Sequence, residues 1–257
     1  MQNSFITDAI NLKSYNLSES DKIIVMYSKE KGLIRGVAKG VKKPKSKLGA
    51  RMDLLVANTL MLHKGRNLDT ICQAEVVNSF YKTRQDIDKI CYSMYVTEVV
   101  HNFGVEEDPC SETIYNLLYK TLNTISSAES KVEILLAVIK FQLKMMIESG
   151  FSLELEKCLC CHKTVQDETM YFVPAMGGII CSNCASHINY HKKQLPYKLR
   201  DFFRQMSIND FDEKGDFETK ANDKVCMVTF EVLKEYITMK SPKKFKSTNI
   251  LQEMPTA

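Results

Sequence analysis

Four cysteines constrain this chain more tightly than any other feature. Cys158-x-x-Cys161 and Cys181-x-x-Cys184 are two Cys-x-x-Cys pairs separated by nineteen residues, within the spacing of tetrahedral thiolate metal sites. The reason is geometric. Two cysteines three apart in a tight turn can aim both sulfurs at one ion, and a second turn facing the first completes four soft ligands. The segment between them suits this arrangement. Met170-Tyr171-Phe172-Val173 and Ile179-Ile180 read as a hairpin turned at Gly177-Gly178, the layout of a zinc ribbon. One Zn2+ held by Cys158, Cys161, Cys181 and Cys184 is therefore expected. With four thiolates there is no open position for water, so the ion is expected to be structural. Cys160 is too close to Cys158 and Cys161 for one turn to present it with either, and reads as a spare thiol. His162, His187 and His191 are alternative ligands.

The other five cysteines bear on compartment. The total of nine is odd, and Cys72, Cys91, Cys110 and Cys226 are scattered, as small buried or half-buried residues usually are. Met1 to Ser14 contains Asp8 and no apolar run of the length a signal peptide needs. No stretch approaches the ~18 consecutive apolar residues of a membrane span. Reduced thiols and a cytoplasmic location without membrane association are expected. At 44% apolar and 26% charged, the 257 residues have the balance of a folded globular chain.

Charge is unevenly placed. "AKGVKKPKSK", residues 38–47, holds five lysines and no acid. Between Lys31 and Arg66 the basic residues are Lys31, Arg35, Lys39, Lys42, Lys43, Lys45, Lys47, Arg51, Lys64 and Arg66, against the single acid Asp53. That window carries a surplus of nine, which leaves the rest of a +4 chain at −5. A positive lobe on an otherwise acidic chain is the electrostatic footprint of a protein that tracks phosphates. A loop of merely solvated lysines is the plain alternative. A nuclear localisation run would account for "KKPKSK" but not for Arg35, Arg51, Lys64 and Arg66 beside it.

Hydrophobic periodicity divides the chain. Phe5–Leu12, Ile23–Tyr27, Leu33–Ala38, Leu54–Leu62 and Leu68–Val77 read as five short strands separated by polar turns, which predicts a small barrel with the lysine stretch between its third and fourth strands. From residue 82 the period becomes helical. Ile87 to Phe103 and Ile114 to Ile125 each approximate one apolar face, with Gly104–Cys110 between them as a loop. Ser130-Lys131-Val132-Glu133 is a capping-box signature opening Val132–Ile147. That segment is apolar on nearly every side, as expected of the central helix of a bundle. Helix returns at Tyr197–Met206 and Val225–Ile237, with the acidic Asn209–Asp223 between them as a loop.

Catalytic signatures are lacking. There is no phosphate loop, H-E-x-x-H, G-x-S-x-G or H-x-E motif. Gly32, Gly36 and Gly40 are better read as glycines of a bent barrel strand. His63 and His101 stand alone, and Glu19 and Asp21 read as a solvated turn. The chain looks like one that binds rather than one that catalyses. A barrel carrying such a lobe suits single-stranded nucleic acid, with Tyr15 and Tyr27 as the nearest stacking candidates.

Three stretches carry a closer likeness. "LKSYNLSESDKIIVMYSKEKGLIRGVAKGVKKPKSKLG" (residues 12–49), "HKGRNLDTICQAEVVNSF" (63–80) and "KSPKKFKS" (240–247), with the two cysteine pairs, resemble the RecO family of bacterial recombination-repair proteins. The resemblance implies an α+β, multi-domain chain. Its expected parts are an OB-fold barrel over 1–80, a helical domain over 81–154 and 188–247, a four-cysteine zinc ribbon inserted at 155–187, and a tail from 248 to 257. It implies a DNA-repair mediator that binds single- and double-stranded DNA and anneals complementary strands. With RecR, and in some settings RecF, such proteins help RecA replace single-strand-binding protein, whose C-terminal tail is a further expected partner. The implied location is the bacterial cytoplasm, at the nucleoid. Carried over as DNA-binding residues are Arg35, Lys39, Lys42, Lys43, Lys45, Lys47 and Arg51 from the first stretch, and Lys64 and Arg66 from the second. Two other classes stay open from the residues: a zinc-dependent nuclease, which would need an open metal position, and an OB-barrel RNA-binding translation factor.

Overall fold

The computed structural model describes residues 4–166, 169–208 and 222–253. It forms two compact units: residues up to 127 together with those from 246 onward, and residues 128–245.

The first unit opens with five strands: β1 (Ser4–Asn16), β2 (Lys22–Ser28), β3 (Gly32–Ala38), β4 (Ala57–His63) and β5 (Asp69–Asn78). Their order is β1-β2-β3-β5-β4, and β4 pairs back onto β1, so the sheet closes on itself. Closure needs one long strand at a corner. β1 supplies it, pairing β4 through Ser4–Ile10 and β2 through Ala9–Asn16, with a bulge between Asn11 and Lys13. The last seam is a short parallel pairing, Gly36 with Asp69 and Val37 with Thr70. Gly36 is required there: a Cβ on it would lie 2.7 Å from Ile71 Cγ1. The interior is filled by Ala9, Ile24, Met26, Leu60, Leu62 and Ile71, among others.

The unbroken apolar run of β2 has a structural cause. Ile24 and Met26 face the barrel interior, while Val25 and Tyr27 are buried as well. The helices α1 (Ile87–Phe103) and α2 (Ser111–Ser127) belong to the same unit, and α2 packs on β2. Tyr27 Oη donates to Asp108 Oδ2 at 2.9 Å, in the loop between the two helices. Tyr27 is therefore fully buried and unavailable as a stacking platform. Asp86 caps α1 by accepting from the backbone N–H of Asp88 and Lys89.

The second unit is built on α3 (Lys131–Glu148), whose residues from Ile134 to Met146 are buried with the sole exception of Lys144. Its cap is close to the expected box: Ser130 Oγ accepts from Glu133 N–H at 3.3 Å, and the Glu133 carboxylate accepts from Glu129 N–H at 2.8 Å. The remaining elements are β6 (Thr169–Val173), β7 (Gly178–Ile180), α4 (Ser182–Ala185), β8 (Lys193–Pro196), α5 (Tyr197–Ile208) and α6 (Asp223–Lys240). α3 packs against α5 and α6. The chain ends its described course in α7 (Ser247–Glu253), back in the first unit, where the Glu98 carboxylate accepts from Lys246 and Ser247 N–H.

Three differences from the expected elements have physical reasons. β4 begins at Ala57, not Leu54, because Gly49–Met52 coils into a 3-10 turn and Leu55 adopts φ +65°. β8 was not expected: it pairs with β6, making the ribbon three-stranded in the order β7-β6-β8. Of the tail from residue 248, positions up to 253 are helical in α7. The acidic loop expected at 209–223 lies outside the described residues up to position 221.

Candidate metal centre and nucleic-acid interface

The metal centre is assembled from two turns. In the first, Cys158 N–H donates to Lys163 O at 2.9 Å and His162 N–H donates to Cys158 O at 2.8 Å. The chain reverses so sharply that His162 takes φ +58°. In the second, Cys181 is the N-cap of the short α4, one turn that lifts Cys184 onto the same side. The two turns are tied together by Leu159 N–H donating to Ile179 O at 3.0 Å. Glu154 runs alongside, bridged to Gly178, where a Cβ would sit 2.6 Å from Glu154 O. Glu154 also accepts from Lys157 and Glu156 N–H, which hold its carboxyl below the usual range. The Lys192 ammonium donates to the Ala185 and Ile188 carbonyls and closes the second turn.

The result gathers Cys158, Cys161, Cys181 and Cys184, whose sulfurs all lie within 4.8 Å of one another. Cys161 Sγ and Cys181 Sγ are 4.0 Å apart. A tetrahedron with metal–sulfur bonds of about 2.3 Å spaces its sulfurs by about 3.8 Å. The donor set therefore fits a tetrahedral ion and could hold one. The local field also favours thiolate at Cys158. Burial pushes the Cys158 thiol up, but the backbone N–H groups of Cys161, Cys181 and Cys160 aimed at its sulfur outweigh this and bring it down to about 6. Cys184 is pushed up, by its hydrogen bond with Cys181 and then by burial. Cys160 is exposed and outside the cluster, as are His162, His187 and His191. His191 instead approaches Glu235 at 3.4 Å.

The basic residues separate into groups on the barrel. Lys39, Lys43, Lys45 and Lys47 line one hollow together with Thr70, Ile71 and Cys72, and none of the residues lining it is acidic. Lys47 and Arg51 line an adjoining hollow that shares Leu48 and Cys72 with the first, runs past Thr59, Met61 and Val76, and holds one acid, Glu75. Arg35 and Lys64 line a third, but with acids: Arg35 Nη1 is 3.0 Å from Glu106 Oε1, and Lys31 is 3.3 Å from Glu107. Lys42 turns to the β1–β2 turn, where its Nζ donates to Ser18 O at 2.8 Å. Arg66 is exposed and lines none of the three. The structure thus brings five of the nine basic residues along one acid-poor track and sets the others apart.

Sequence reasoning missed the groups that shape this loop. Asp21, expected to be merely solvated, accepts from Gly40 N–H at 2.7 Å and from Ser20 Oγ at 2.8 Å. Those bonds, the backbone one first, hold its carboxyl below the usual carboxylate range. At the other end, Asn11, Asn58 and Arg84 reach the carbonyls of Arg51, Asp53 and Leu54. No local pattern marks these residues. An asparagine within an apolar strand has no sequence sign of what it will donate to.

A closed five-stranded barrel with a basic loop, a helical body and a four-cysteine cluster defines the class as an α+β protein with a metal-site module. The comparisons agree with it. Residues 1–80 match the family described as "Recombination protein O N terminal", and residues 84–249 match "Recombination protein O C terminal". The DNA repair protein RecO of Desulforamulus reducens is 30% identical, over 96% of this chain and 93% of its own length. Those of Dehalococcoides mccartyi strain CBDB1 and Shouchella clausii are 33% and 32% identical, over 70% and 84% of this chain and 70% and 82% of their own lengths. The chain belongs to the RecO family of DNA repair proteins.

Proposed function

We propose that this DNA repair protein is a non-enzymatic mediator of recombination in the RecF pathway. It binds single- and double-stranded DNA through the barrel, anneals complementary strands, and acts with RecR to load RecA onto DNA coated with single-strand-binding protein. The observation that carries this reading is the hollow ringed by Lys39, Lys43, Lys45 and Lys47, with Lys47 and Arg51 continuing it. A track of five cations, with Glu75 the one acid lining it, neutralises phosphates. Neutralising two strands at once lowers their repulsion and favours pairing. The ion of the four-cysteine cluster is Zn2+, one per chain, filling a closed site that shapes the ribbon and does no chemistry. RecF and the C-terminal tail of single-strand-binding protein are further partners, and the protein works in the cytoplasm at the nucleoid.

Annealing of complementary oligonucleotides coated with single-strand-binding protein, with and without RecR, tests this reading. Acceleration by the wild-type chain and its loss in a Lys39→Glu, Lys43→Glu, Lys45→Glu variant are expected. The variant's log-affinity for a single strand should also depend less steeply on log salt, by about 2 in slope. Equal annealing and equal slopes in the two proteins would refute the assignment.

A further inference from the structure

The basic loop between β3 and β4 is not a free tether. At its first end Asp21 holds Gly40 N–H, and Lys42 is bound twice, its N–H donating to Ser20 O at 3.1 Å and its Nζ to Ser18 O. At its far end two side-chain amides are completely buried. Asn11 Nδ2 donates to Arg51 O and to Asp53 O, each at 2.8 Å, and Asn58 Nδ2 donates to Arg51 O at 2.9 Å. Arg84 Nη2 adds a bond to Leu54 O at 3.0 Å. The amides can be oriented only this way, since turning either one would set its oxygen against those carbonyls. Their own oxygens gain nothing in return: among the described residues, Asn11 Oδ1 and Asn58 Oδ1 are buried without a hydrogen-bond partner. Two orphaned carbonyls in a barrel end are costly, and an apolar pair would fill the space without that cost. What the amides supply and apolar groups could not is a fixed path for the Gly49–Leu55 chain.

We infer that Asn11 and Asn58 are positioning residues that preorganise a phosphate-binding hollow, in which Lys39, Lys43, Lys45 and Lys47 meet the DNA backbone while Lys42 serves the loop. This rests on the DNA-binding reading above and deepens it. Between the clamped ends the loop is shaped by its own turns, Lys43 N–H to Gly40 O and Ser46 N–H to Lys43 O, with Ser46 Oγ accepting from Leu48 and Gly49 N–H. A loop already held in its binding shape loses less conformational entropy when phosphate arrives.

The test compares wild type with Asn11→Leu, Asn58→Leu and Lys42→Met in the full chain. It reads hydrogen exchange across residues 48–56, affinity for a single-stranded oligonucleotide, and the salt slope of that affinity. In wild type the Met52 and Leu55 amides, bonded to Leu48 O and Asn11 O, should be protected. In each asparagine variant their exchange should rise, and affinity should fall by about tenfold with the slope unchanged, because the same lysines still meet phosphate. Lys42→Met, at the first end of the loop, should also lower affinity with the slope unchanged, whereas Lys43→Met or Lys45→Met should each reduce the slope by about 0.7. Lys42→Met leaves the core untouched, so it keeps the test decisive if a leucine variant misfolds. Exchange as fast in wild type as in the variants would overturn the clamp, whatever the DNA result. Loosened exchange with unchanged affinity would overturn the link between loop shape and binding. A wild-type chain with a protected loop and no affinity for DNA would overturn the reading beneath both.

Discussion

Asp21 shows how much one side chain can organise. Its carboxylate ties the turn before β2 to Gly40 at the root of the basic loop. Hydrogen bonds from Gly40 and Ser20 favour the charged form, so the carboxyl titrates below its ordinary range. The unfolded chain therefore takes up the proton first on acidification. The contribution of Asp21 is fully present above the ordinary carboxylate range and is lost as pH falls through the lower, folded value. In thermal unfolding followed against pH, wild type should keep a stability lead over Asp21→Asn at neutral pH, and the two curves should converge in acid. A constant gap between them would show that the carboxylate is not the source. The sequence shows Asp21 only as a polar residue in "LSESDK". Its partner is nineteen residues away, so nothing local announces the bond.

At the scale of elements, the ribbon depends on one close approach. Gly178 starts β7, pairs with Val173 and lies against Glu154, whose carbonyl a Cβ would meet at 2.6 Å. Through Leu159 and Ile179 that contact sets the spacing of the two cysteine turns. Gly178→Val should spread the turns and lower the metal retained after purification, measured by elemental analysis. A Cys160→Ser variant, altered outside the cluster, should keep its metal. Full retention in Gly178→Val would mean that the turns find each other without this contact. The cysteine spacing and a hairpin reversal at Gly177 were legible in the sequence, because chelation and hairpin reversal are both short-range demands, although Gly178 proves to be the first residue of β7 rather than part of the turn. β8 was not. Its four residues include Pro196, carry no alternation long enough to read, and become a strand only because β6 offers an open edge.

At the scale of the whole molecule, the two compact units differ in what holds them. The barrel unit has a closed ring of strands around an apolar interior. The other unit pairs a helical core with a small ribbon whose two turns converge on the cysteine cluster. Small thiolate modules draw on the order of 10 kcal/mol from their ion. The protein purified without chelator should carry one zinc per chain. Stripping it should raise hydrogen exchange across residues 154–196 while residues 4–63 keep their protection. Protection unchanged in both segments would remove the ion from any structural role. The sequence by itself determined the ligand chemistry, the surplus of positive charge between Lys31 and Arg66, and the switch from strand to helix near residue 82. These follow from residue type, spacing and period, which are properties of a chain before it folds. Only the tertiary structure decided that β4 returns to β1, that Arg35 faces Glu106, that Lys42 is spent on Ser18, and that two buried amides hold the loop. Each of these joins residues far apart in sequence, and such a contact exists only once packing has brought both partners to one place.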